Sequence, residues 1–258
     1  MQDYEYRGLM AQAWDVLRGD TSQWADRFFF LDQIAEFGQP VLDVGCGTGR
    51  LLLDYLQQGI DIDGVDNSPE MLELCREKAA KLGLEPRLYE QYMENLELPR
   101  RYRTILIPSS SLQLVIEPEL VATAIERLCA HLEPGGALVA PIMTLWKEGD
   151  PLESEWEKTA QRAEDGATIR RVARSRYDPV TQCEATEDLY QLIVDDVVVA
   201  EELHQRSPAT RSYTQQEARE LFEQAGLVNI QIFKEFTGQP VEPDDSIFTL
   251  VGRKAGDG

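Results

Sequence analysis

The stretch Val41-Leu42-Asp43-Val44-Gly45-Cys46-Gly47-Thr48-Gly49-Arg50 decides the fold. Val41 to Val44 reads as a short buried strand. The glycine-rich turn follows, and then Leu51-Leu52-Leu53-Asp54-Tyr55-Leu56 with helical spacing. Alternating glycines let a backbone approach a ligand closely, and a helix that starts there points unpaired N–H groups at it. Such a turn suits a carboxylate or a phosphate. The order Gly45-x-Gly47-x-Gly49, with Arg50 after it, departs from the G-x-G-x-x-G of dinucleotide turns, whose last glycine admits the helix against the strand. A nicotinamide cofactor is therefore the lesser reading.

Working outward, Ile60 to Asp66 alternates as a second strand and closes on Asp66, 21 residues after Gly45. An acid there is placed to accept both hydroxyls of a ribose. Asn67-Ser68-Pro69-Glu70-Met71-Leu72 opens a helix, with Ser68 as N-cap and Pro69 in the first turn. Residues 86–91 and 104–108 are further strands. Residues 119–132 form an amphipathic helix closed by Glu133-Pro134-Gly135-Gly136, and Ala137-Leu138-Val139-Ala140 is the fifth strand.

On these features the chain resembles the class I S-adenosylmethionine-dependent methyltransferases of small-molecule type. Asp43-Val44-Gly45-Cys46-Gly47-Thr48-Gly49 matches their first motif, and the turn before the fifth strand is shared as well. The resemblance covers roughly residues 40–145. It implies S-adenosyl-L-methionine as cofactor, held by Asp43, Gly45, Cys46, Gly47, Gly49, Asp66, Asn67, Met71, Tyr92, Met93 and Pro108. Many relatives carry an aspartate for the adenine where this chain has Tyr92, which leaves a backbone contact at Met93. It also implies a methyl acceptor touched by the N-terminal segment and an insertion. Tyr6, Trp14, Gln113 and Trp146 are the candidates, with Tyr4, Arg174, Tyr190 and Glu202 as further positions. Relatives with a histidine after the equivalent of Gln113 have a possible base, but Leu114 and Val115 stand there. No catalytic residue is assigned.

The expected fold is α/β: a Rossmann-like, doubly wound seven-stranded sheet with helices on both faces, one antiparallel edge strand, an N-terminal helical cap and an antiparallel β insertion. Residues 1–258 form one domain, divided into a cap (1–38), a core (39–145 and 207–258) and an insertion (146–206). The second cap helix is expected to start at Thr21 or Ser22. The insertion reads as a meander over 167–177, 181–193 and 197–206, with 156–163 as strand or short helix. Thr214 to Glu217 is a capping box that opens the last helix.

Composition limits partners. A formal net charge of −21 opposes binding to nucleic acid or to an anionic membrane surface. Cys46, Cys75, Cys129 and Cys183 show no metal or disulfide spacing, which fits a reducing cytoplasm. No leader or membrane-spanning run is visible, so a soluble, unprocessed protein is expected. Only His131 and His204 are available as histidine bases. Methyl transfer to a nitrogen or oxygen of a small molecule is the leading activity. A non-catalytic S-adenosylmethionine-binding protein and, behind it, a nicotinamide-dependent oxidoreductase are the rivals.

Overall fold

A computed structural model describes residues 5–256. Tyr4 lies outside them. The chain divides into two compact units, residues 22–144 with 213–256 and residues 5–21 with 145–212.

The larger unit is built on a seven-stranded sheet. Its strands are β1 (Val41–Val44), β2 (Ile62–Asp66), β3 (Arg87–Glu90), β4 (Tyr102–Leu106), β5 (Leu132–Met143), β10 (Leu227–Lys234) and β11 (Ile247–Lys254). They lie in the order β10-β11-β5-β4-β1-β2-β3. β1 pairs in parallel with β2 and β4, and β3 and β5 extend the parallel run on either side. The sequence turns to β2 on one side of β1 and later to β4 on the other, so the crevice between β1 and β4 is the switch point at which open α/β sheets bind ligands.

The antiparallel strand is not at the edge, as the sequence suggests. β11 sits between β5 and β10 and runs antiparallel to both. Its Phe248, Leu250 and Val251 are fully buried, whereas β10 is mostly exposed or half-buried. β11, hydrogen-bonded on both sides, is the more buried member of the closing pair.

Alternation sends neighbouring side chains to opposite faces, and both faces are covered. Val41, Ile62, Leu106, Val139 and Val251 join one cluster with residues of α2 (Ala25–Phe37), α3 (Leu52–Gln57) and α4 (Pro69–Leu82). Leu42, Ile105, Leu138 and Leu250 are buried toward the other face. There α5 (Pro118–Ala130) and α6 (Gln215–Gln224) pack on each other and on β5 and β11. Ser68 Oγ accepts from the Met71 amide at 3.1 Å, and Thr214 and Glu217 form the expected capping box.

α2 differs from the cap reading. Its Phe29, Phe30, Ile34 and Phe37 belong to the core of the larger unit. It begins at Ala25 after Trp24, with no side-chain cap, rather than at Thr21 or Ser22. Burial of these four apolar side chains holds the helix in that core.

In the smaller unit α1 (Gly8–Arg18) lies on a four-stranded antiparallel sheet, β6 (Glu153–Gln161), β7 (Thr168–Asp178), β8 (Cys183–Val194) and β9 (Val197–Arg211), in that order. The segment left open between strand and helix is the strand β6. Leu9, Met10, Ala13 and Leu17 of α1 pack on Ile169 and Tyr190. Glu202 of β9 takes the Leu9 amide at 2.8 Å, which satisfies one orphan donor at the start of α1.

Candidate functional site

The glycine turn stands at the carboxyl end of β1. Gly45, Gly47 and Gly49 all have positive φ, at 71°, 55° and 83°. At Gly47 the backbone bends so that its N–H reaches Oδ2 of Asp66, 2.8 Å away. Oδ1 of the same carboxylate takes the Ser68 amide at 2.9 Å. The end of β2 and the glycine turn therefore hold each other. The amides of Gly45 and Cys46 both donate to the Val65 carbonyl, at 2.8 and 3.0 Å.

The loop after β4 closes the crevice from the other side. A Cβ on Gly45 would lie 2.7 Å from Ser111 Oγ, so only glycine lets the two loops meet. Ser111 Oγ itself donates to the Pro108 carbonyl at 2.7 Å. Ser109 and Ser110 both adopt left-handed backbone, φ 56° and 58°. Each costs about 1–2 kcal/mol for a residue with a Cβ. Strain of this kind collects where a loop is held for function. Nothing in Pro108-Ser109-Ser110-Ser111 announces it, because serine has no special liking for that region.

Asp43, at 1% exposure, is the most unusual ionisable group of the site. Burial pushes its carboxyl up to about 7, against the pull of Arg50. Asp66 and Asp26 add a smaller upward push, and a hydrogen bond from the Leu52 backbone favours ionisation. Its Oδ1 has no hydrogen-bond partner among the described residues, and neither has the buried Nδ2 of Asn67. Arg50 is held as a bidentate partner of Asp26, at 3.1 and 2.5 Å, which ties α2 to the end of the turn. Sequence reasoning missed this pair because its members are 24 residues apart.

The remaining predicted cofactor residues fall on the same end of the sheet. Cys46 is buried and its thiol is pushed well up by burial. Met71, Met93 and Pro108 are buried, and Tyr92 is half-buried just ahead of the single helical turn Met93–Asn95. Gln113 is fully buried. Its amide nitrogen donates to the Met143 carbonyl at 2.9 Å, and its oxygen accepts the Met143 amide at 2.7 Å, so it braces the loop against β5.

The other three predicted acceptor residues belong to the smaller unit. Tyr6 meets Trp14 edge to face, 4.8 Å between centroids. Trp146 stacks on Tyr177 at 5.6 Å and donates to the Asp150 carbonyl at 2.8 Å. Arg174 pairs with Glu155 at 2.9 Å. His131 is structural: Nδ1 donates to the Arg127 carbonyl at 2.8 Å while Nε2 accepts the Leu98 amide at 2.9 Å. His204 lies 3.1 Å from Glu202. Among the described residues no group of carboxylates, cysteines and histidines could hold a metal ion, and no helix is long and apolar enough to cross a membrane.

Residues 41–136 match the family described as methyltransferase domain. The chain is 27% identical over 135 residues to the dTDP-3-amino-3,4,6-trideoxy-alpha-D-glucopyranose N,N-dimethyltransferase of Streptomyces venezuelae. That alignment covers 52% of this chain and 54% of the relative, so the chain spans about half the length of the curated relatives it matches. Its fold is similar to that of an S-adenosylmethionine-dependent methyltransferase from Clostridium acetobutylicum, with a TM-score of 0.76, 20% identity, and 93% and 95% of the two chains covered. It is also similar to CalS10, an amino pentose methyltransferase from Micromonospora echinaspora solved with S-adenosylmethionine bound, with a TM-score of 0.69, 18% identity, and 99% and 100% covered. The glycine turn, the acid of β2 and the strand order agree with these matches: residues 41–136 match a methyltransferase domain, and the fold is that of the S-adenosylmethionine-dependent methyltransferases it resembles.

Proposed function

We propose that the protein transfers a methyl group from S-adenosyl-L-methionine to a nitrogen of a small molecule. The observation that carries this reading is the pair of uncommitted buried atoms beside the glycine turn, Asp43 Oδ1 and Asn67 Nδ2. An acceptor of negative charge and a neutral donor, both buried, suit a ligand that brings a cation and a ring or hydroxyl acceptor. The methionine part of the cofactor carries positive charge, and its nucleoside carries acceptors. Asp43, the close-approach surface of the glycine turn and Asp66 would hold it, with Asn67, Met71 and Met93 beside the nucleoside. When bound, the cofactor supplies a methyl group on an electrophilic sulfonium.

What the chain itself contributes is placement and exclusion of water. Both histidines are committed to other bonds. A neutral amine brings its own lone pair and needs no strong base, whereas a hydroxyl acceptor would. Nitrogen is therefore preferred over oxygen. The similarity to a methyltransferase of a nucleotide-linked amino sugar supports an amino sugar as the acceptor class. The four cysteines are all free, which supports a reducing compartment.

The test is a thermal shift followed by turnover. S-adenosylhomocysteine raises the melting temperature while NAD and NADP do not, because only a ligand of the native state stabilises it. Labelled cofactor then passes label to amino sugars or simple amines and not to phenols. A shift with NAD alone would overturn the cofactor. Binding without transfer to any amine, aminosugar or phenol would favour a non-catalytic binding protein.

A further inference from the structure

The smaller unit holds a cavity of about 220 Å³ between α1 and its sheet. Three aromatic and three cationic side chains line it, Trp14, Trp156 and Tyr190 with Arg18, Lys158 and Arg171. None of its lining residues is acidic. In a chain with 46 acidic and 25 basic residues, a purely cationic lining runs against composition.

Register explains how the six converge. Lys158 lies directly opposite Arg171, and Arg171 directly opposite Tyr190, so these three share one face across β6, β7 and β8. Trp156 is two residues before Lys158 and faces the same way. Trp14 and Arg18 are four apart on α1, one above the other on a helix face. The Arg171 guanidinium lies 4.7 Å from the Trp156 ring and 5.5 Å from the Tyr190 ring, and Arg18 lies 4.0 Å from the Trp14 ring.

Like charges directly opposite on a sheet destabilise it. Here Lys158 and Arg171 are such a pair. Arg171 is partly offset by buried Asp188, which accepts Nε and Nη2 at 2.9 and 2.8 Å. Among the described residues Lys158 has no ion-pair partner, and the hydroxyl of Tyr190, a residue only 3% exposed, has no hydrogen-bond partner. The uncommitted groups are all donors, and they surround aromatic faces.

We propose that this cavity is a binding site for a flat aromatic ring carrying a phosphate or carboxylate. The ring would lie among Trp14, Trp156 and Tyr190. The anion would take Lys158, the open side of Arg171 and the Tyr190 hydroxyl, and so relieve the cross-strand repulsion. The volume lies below the roughly 300–1,000 Å³ of drug-sized pockets, so it suits one ring and one anionic group. The proposal rests on the smaller unit alone and does not depend on methyl transfer.

The test uses phenyl phosphate as probe on the whole protein, without cofactor, by titration calorimetry. One saturable site is expected, with inorganic phosphate alone and phenol alone each at least about tenfold weaker, since ring and charge contribute separately. Lys158→Glu, at an exposed position, should keep the wild-type circular dichroism and weaken phenyl phosphate at least about tenfold through charge reversal. No saturable binding, or equal affinity in folded Lys158→Glu, overturns the proposal. Inorganic phosphate binding as tightly as phenyl phosphate overturns the aromatic half and with it the ligand class.

Discussion

The backbone amide of Gly47 donates to Oδ2 of Asp66 across 2.8 Å, so the glycine turn and the acid at the end of β2 form one hydrogen-bonded unit. The same carboxylate receives the Ser68 amide, at the start of α4, through its other oxygen. Asp66 is thereby oriented by two backbone donors before any ligand arrives, and an oriented acceptor loses less freedom on binding.

Asp66→Ala should weaken S-adenosylhomocysteine binding by about 1–3 kcal/mol, the range for leaving partners of a charged hydrogen bond unpaired. Because Gly47 and Ser68 lose their acceptor too, the turn should also become more mobile, seen as faster amide exchange at Gly47. Unchanged affinity in a folded variant, by calorimetry, would remove Asp66 from the site.

Gly47→Val should abolish cofactor binding. The position has φ 55°, where a β-branched residue is strained, and a side chain would stand in the turn. Gly47 is buried but sits in the turn and not in a strand of the sheet, so circular dichroism should match the wild type. Full binding by such a variant would show that the turn is not the cradle.

For Asp43 the sign follows from its raised pKa of about 7. The folded protein holds this proton more tightly than the unfolded chain, so the contribution of Asp43 to stability falls as pH rises from about 4 to about 7. Affinity for a cationic ligand runs the other way and strengthens as the carboxyl ionises through about pH 7. Asp43→Asn should flatten both trends. Denaturant melts at pH about 5 and about 7, and calorimetry at pH about 6 and about 8, check this, and equal slopes in the two proteins would refute it.

Gln113→Leu should destabilise the fold by about 1–3 kcal/mol, since the backbone N–H and C=O of Met143 both lose their partner. Urea unfolding reads this directly. Stability like the wild type together with a raised KM for the acceptor would move Gln113 from brace to substrate contact.

By itself the sequence determined what depends on near neighbours. The strand, turn and helix around Gly45, the acid at Asp66, the Ser68 cap and the capping box of Thr214 all rest on residues a few positions apart, whose backbone preferences and hydrogen bonds act locally. Only the tertiary structure decided what depends on distant partners. β11 lies between β5 and β10 although the two closing strands are about equally apolar, so the order is set by long-range pairing with β5. Four phenylalanine and isoleucine side chains draw α2 into the core of the larger unit. Ser109 and Ser110 are held left-handed where their loop meets Gly45, although serine does not favour that conformation. Asp43 acquires its raised pKa from complete burial, which composition cannot reveal. Lys158, Arg171 and Tyr190 come from three strands, and strand register sets them side by side with Trp14 and Arg18 of a helix more than a hundred residues earlier in the chain. Long-range packing places these groups, and no local pattern encodes it.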